Sequence, residues 1–208
     1  MCLINFLLTC LNFFFLDRDV ETCASYHGDK HLNKMQLEYA QIASTVVRQL
    51  SPSNVPDGTY KETHKNHPVV KWAKKSRSHV MWIIDLGIAL DKEKAKRAII
   101  AKKHGKKWSE THKSQVILKM LKEKMFDETY FEHGIVWSDP PACMPDCVRN
   151  CEPDNVVNAY RLYYASLKID LTGLKWLPYA EEPSFLNEFK KKGRESQEIQ
   201  EYIKKQKI

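Results

Sequence analysis

His31, Lys34 and Glu38 follow one another at intervals of three and four residues within HGDKHLNKMQLEYAQIASTVVRQL, residues 27–50, so on a helix they share one face. An imidazole, an ammonium and a carboxylate in one row can carry acid–base chemistry. The carboxylate can hold a proton or stabilise a developing cation, and a lysine whose proton is loosened can add to an electrophilic carbon. Gln41 and Thr45 continue the row. The same spacing also describes a solvated helix face, with Lys34 and Glu38 as an ordinary pair worth about 0.3–0.5 kcal/mol. Spacing alone leaves both readings open.

The element that must position this row carries a second stripe. Leu32, Met35, Tyr39, Ile42, Val46 and Leu50 recur at helical spacing and predict an amphipathic helix, with Asp29 expected to cap its first free N–H groups. His64 and His67, in THKNHP, precede a second predicted helix over 68–90, where Pro68 suits the first turn and Asn66 a cap. The two histidines are further site candidates; a capping turn is the plainer account of them. Trp72 and Trp82 are expected in the core. Lys74, Lys75 and Arg77 are candidate phosphate contacts, as are Lys102 and Lys103 in the basic stretch 91–107, which extends the helix and turns at His104-Gly105. A solvated helix end explains Lys102 and Lys103 equally well.

A further helix is predicted over 109–125, then a long ordered loop over 127–153. A strongly amphipathic helix follows over 155–167, with Tyr160 and Tyr164 facing the core and Arg161, another site candidate, on a different face. Residues 12–16 read as a short buried strand. The fold expected is mainly α: a compact helical single domain over 12–186 with one short N-terminal β element. Residues 1–11 form an apolar extension suited to docking a partner, and 187–208 a charged helix or arm. The apolar run over 1–16 is too short for a membrane span and lacks the basic start and cleavage site of a signal peptide.

The net charge of +7 points to a polyanionic partner, and many proteins that bind no nucleic acid share it. No Walker-type glycine loop or GxGxxG is present, which disfavours those modes of nucleotide binding. Cys143, Cys147 and Cys151 repeat every four residues, and zinc there would need Cys23 or a histidine as fourth ligand. No second compact pair exists, so reduced thiols, no metal and no cofactor are expected. The setting expected is intracellular.

FFFLDRDVETCASYHGDKHLNKMQLEYAQIAST, TYKETHKNHPVVKWAKKSRSHVMW, and MPDC followed by VVNAYRLYYASLK resemble a family of small proteins from tailed phages and large DNA viruses, some labelled pyrimidine-dimer DNA glycosylases. The resemblance covers most of 13–176. Asp29-Lys30-His31-Leu32, with Glu38 seven residues after His31, is also similar to the motif of endonuclease V-type glycosylases. It implies a compact helical fold with a basic face, Glu38 stabilising an oxocarbenium-like sugar, and His31 helping to position DNA. That enzyme type uses an N-terminal α-amine as nucleophile, whereas here Met1-Cys2 and an apolar segment precede the matching region. Processing exposes another amine, or a lysine such as Lys34 substitutes, or the chemistry is absent.

The implied function is DNA processing of viral type, as a DNA glycosylase/AP lyase acting on damaged or modified pyrimidines, with double-stranded DNA as partner and the host cytoplasm or nucleus, or the virion, as setting. A basic nucleic-acid-binding or virion-associated structural protein without enzymatic activity is the alternative. A nucleotide-modifying enzyme of viral DNA metabolism is a third reading.

Overall fold

The frame is set by two long helices packed antiparallel. The computed structural model describes residues 11–124, 129, 131, 136–169, 173–176 and 178–206. In chain order these form α1 (Val20–Ser25), α2 (Asp29–Leu50), α3 (Pro68–Ala73), α4 (Arg77–Lys103), α5 (Gln115–Lys124), α6 (Asp146–Arg149), α7 (Val156–Tyr163), α8 (Leu186–Glu195) and α9 (Gln197–Gln206). A π-helical turn, Tyr164–Lys168, continues α7, and a 3-10 turn, Pro52–Asn54, follows α2. The structure is mainly α, and no described helix is long and apolar enough to cross a membrane.

Helix α2 buries its predicted stripe: Leu32, Met35, Tyr39, Ile42 and Val46 are at most 1% exposed. Its N-cap is Gly28, so Asp29 lies inside the first turn and does not cap. Asp29 is instead drawn to α4, where its carboxylate accepts from Arg97 at 3.0 Å. That contact joins the start of α2 to the end of α4 and fixes their antiparallel course.

The helix expected over 68–90 is two helices. Ser76 leaves the helical region (φ −147°, ψ 144°) and its side chain accepts from Ser78 N, so the chain restarts there as α4. Helix α3 is capped by His67, not Asn66, through Val69 N. Trp72 and Trp82 are buried as expected, their indole N–H groups donating to Ser138 O and Arg18 O. Helix α4 runs through the basic stretch and ends at His104-Gly105, where Gly105 takes φ +70°.

Helix α5 starts later than residue 109, because Asp91 of α4 accepts from Thr111 Oγ1 and His112 N and holds that segment in a turn. The short α6 interrupts the loop expected over 127–153, part of which lies outside the described residues. Asn155 caps α7 through Asn158 N.

Residues 12–16 are buried but form no strand, and none occurs among the described residues. The segment threads between helices as an extended chain without a sheet neighbour. Phe13 meets the rings of Tyr39, Trp72, Trp82 and Tyr160 at centroid distances of 5.8–6.3 Å. Its backbone groups are met by side chains of the surrounding helices: Glu38 accepts from Asn12 N, Cys23 donates to Phe14 O, and Arg161 donates to Leu16 O. Residues 1–10 of the expected N-terminal extension lie outside the described residues; Leu11 is buried.

The charged tail does not stand free. Phe185, Leu186, Phe189 and Ile199 are buried, so α8 and α9 dock through an apolar stripe the charge pattern concealed. Gly193 makes this approach possible: a Cβ there would sit 2.5 Å from Ser166 Cβ on the π turn.

Arg97 is fully buried. It donates to Glu93 at 2.8 Å, Asp29 at 3.0 Å and the Ser25 carbonyl at 2.9 Å, tying α1, α2 and α4 together. Removing one partner of a buried ion pair costs about 3–5 kcal/mol. Arg97→Ala is expected to lose that much in chemical denaturation, and a loss under about 1 kcal/mol would show the cluster to be dispensable.

Candidate active site

Glu38 sits on α2 where the helix passes the extended N-terminal segment. It is 7% exposed, and its carboxylate accepts hydrogen bonds from the backbone N and the side-chain Nδ2 of Asn12, the latter at 3.4 Å. Lys34, one turn earlier, approaches Oε1 to 3.4 Å while keeping about half its side chain in water. Burial pushes the Glu38 carboxyl above its ordinary value, and Lys34 and Asn12 offset that only in part. The carboxyl therefore keeps its proton to higher pH than an exposed glutamate.

His31 lies one turn earlier on α2 but turns inward. Its ring stacks on Phe14 at 4.8 Å, and Nδ1 is 2.8 Å from the Tyr164 hydroxyl, which also accepts from Gly28 N at 2.9 Å. Burial, followed by the charges of His27 and Lys168, pushes its pKa down to about 2. His31 is thus a neutral, 4% exposed ring that fixes Tyr164 and Phe14.

The π turn after α7 brings in a residue that spacing on α2 could not reveal. Lys168 is only 5% exposed; it donates to Asn12 Oδ1 at 3.0 Å and lies over the Tyr163 and Phe14 rings at 5.0 and 5.8 Å. Asn12 therefore joins two charged groups of opposite sign, Glu38 on its amide nitrogens and Lys168 on its amide oxygen. The signal in the sequence was slight: Lys168 follows Tyr164 by four residues and continues the core stripe of α7.

Asn12 and Lys168 also line a cleft of about 910 Å³, with Phe13 and Tyr163 beside them, and Pro141 to Cys147 and α9 forming the opposite wall. Glu38 lies behind Asn12. The cleft wall mixes signs, Arg149 and Lys205 against Asp146, Glu198 and Glu201, and its larger share is apolar. Such a wall suits a flat organic group with a few polar contacts better than a phosphate.

The other candidates fall into distinct places. His67 lines the cleft while capping α3 through Nδ1, and burial lowers its pKa. His64 occupies an exposed turn with φ 49° and belongs to no cluster with Glu38. Arg161 donates to Leu16 O at 2.8 Å and Asp17 at 2.9 Å and lies over Phe185, which makes it a clamp on the N-terminal segment.

Lys74, Lys75 and Arg77 stand at the beginning of α4; Lys102 and Lys103 stand at its end. The 25 residues from Arg77 to Lys102 span about 38 Å at helical rise, so these lysines do not form one patch.

Cys143 and Cys147 line the cleft; burial raises the Cys143 thiol to about 11 and raises Cys147 as well. Cys151 donates instead to the Cys147 carbonyl, and Cys23 is fully buried elsewhere. Among the described residues no group of three or more His, Cys, Asp or Glu side chains is arranged to hold a metal ion.

No protein-family model, no curated protein and no solved structure matches this chain.

The buried imidazoles give a pH prediction. His27, held to about 4 by burial, and His31 bind fewer protons folded than unfolded, so the stability they contribute is present above pH 6.5 and is lost as pH falls below it. The raised Glu38 carboxyl acts in the opposite sense. The loss between pH 7 and pH 5 is expected to be about 2 kcal/mol per histidine. Urea midpoints at the two pH values check it: His31→Asn should reduce the fall by about 2 kcal/mol. A stability independent of pH would contradict the assignment.

Proposed function

We propose that this protein is a DNA-processing enzyme acting at a nucleotide's sugar, a DNA glycosylase/AP lyase of viral type directed at damaged or modified pyrimidines. The observation that carries the reading is the chain Glu38–Asn12–Lys168, a carboxyl of raised proton affinity and an ammonium held on one asparagine beside a cleft. Cleavage of a glycosidic bond develops positive charge on the sugar, which a nearby carboxylate stabilises, and an amine can then capture C1′.

The cleft volume lies within the range that holds a small organic ligand, and enzymes of this kind swing the target nucleotide out of the stack into such a pocket. Lys74, Lys75 and Arg77 would take the flanking phosphates. They begin about 9 Å along α3 from Pro68, which lines the cleft. The resemblance of Asp29-Lys30-His31-Leu32 and Glu38 to the endonuclease V-type motif supports the same chemistry. His31 has no direct part in holding DNA in this account, since it is buried and neutral.

Strand cleavage on ultraviolet-irradiated and abasic duplexes, with Glu38→Gln beside wild type, tests the reading. The variant is expected to lose about 100-fold or more in rate while its duplex affinity is unchanged. A wild-type protein that binds duplex in a salt-sensitive way but cleaves neither substrate would replace the enzyme by a basic binding protein.

A further inference from the structure

We propose that the reacting amine is the ammonium-bearing nitrogen of Lys168. The inference rests on the glycosylase/lyase reading above and names its nucleophile, for which sequence spacing offered Lys34. The geometry favours Lys168 on three counts.

Lys168 lines the cleft, whereas Lys34 does not; it lies on the solvent side of Glu38 with its side chain 48% exposed. A nucleophile must be held on the reacting carbon, and Lys34 is tied through a 3.4 Å approach to Glu38 while about half of its side chain stays in water, away from the cleft. Lys168 is fixed by the Asn12 carbonyl oxygen at 3.0 Å and by the Phe14 and Tyr163 rings.

The backbone that presents it is unusual as well. Lys168 closes the five-residue π turn, a geometry that recurs at functional sites. Two contacts hold that turn in place. Ser166 is packed against Gly193 of α8, and Tyr164, at the start of the turn, is bonded to His31 and Gly28. The docked tail and the α2 network therefore both support the residue that reaches the cleft.

The step is imine formation with an aldehydic sugar, as in the open form of an abasic site. Nζ of Lys168 bonds to C1′, the C1′ oxygen leaves as water carrying two protons of the ammonium, and a positively charged iminium remains. Borohydride then delivers hydride to C1′ and leaves a stable secondary amine.

The experiment treats the full chain with a duplex containing one abasic site in the presence of borohydride, and maps the adduct by peptide mass spectrometry. Lys168→Arg, its folding checked by thermal unfolding, is run alongside. The expected result is an adduct on Lys168 in wild type and a loss of about 100-fold or more in trapping for the folded variant. Should the variant not fold, the wild-type map decides alone. An adduct on Lys34, or on an α-amine exposed at Asn12, would overturn Lys168 as nucleophile and leave the glycosylase/lyase reading standing, as would undiminished trapping by Lys168→Arg. Neither adduct nor strand cleavage in wild type would overturn both.

Discussion

The structure depends on a buried, non-helical segment that has no strand beside it among the described residues. Residues 12–16 carry Phe13, Phe14, Phe15 and Leu16 into the centre of a helical protein, each at most 2% exposed. Burying that much apolar surface is favourable, but it removes the backbone's polar groups from water, and each must find a partner. In a sheet a neighbouring strand would answer them. Here side chains do: Glu38 accepts from Asn12 N, Cys23 donates to Phe14 O at 3.7 Å, and Arg161 donates to Leu16 O. Helices α1, α2 and α7 take the place of the missing strand.

That arrangement gives Glu38 two tasks. As the partner of a buried amide it is held in one rotamer, and as a buried carboxyl it retains its proton more strongly than an exposed one. The cost of desolvating it is offset in part by Asn12 and Lys34. The same asparagine passes the constraint on to Lys168 and so to the cleft wall. Fold and candidate chemistry thus share one residue, Asn12, which lies in the segment with the least regular structure. Behind it, the neutral His31 ring and the Tyr164 hydroxyl keep Phe14 and the π turn in register.

What could be read from the chain follows from the range over which each signal acts. The stripe of α2, the core-facing tyrosines of α7 and its π turn, and the His104-Gly105 turn are local, and all three appear where side-chain spacing put them. The split at Ser76 was local too, but a serine within a continuing apolar period does not announce whether it caps or merely faces water. Asp29 looked like a cap because its buried partner, Arg97, lies 68 residues away. Lys168 was hidden for the same reason, since its partners Asn12 and Phe14 are far off in sequence and the π turn shifts the helical register by which its direction is judged. The tail read as a charged helix or arm because its charges outnumber the few residues, Phe189 and Ile199, that dock it.

The central claim, that Glu38 stands in for a strand by holding the Asn12 amide, is tested most directly by amide hydrogen exchange at Asn12 followed by NMR across pH. The account predicts an Asn12 N–H that exchanges only through global unfolding, and whose shift titrates with the Glu38 carboxyl at a midpoint above the ordinary 4.5. An Asn12 amide exchanging at the rate of an open chain, with no response to Glu38, would contradict it.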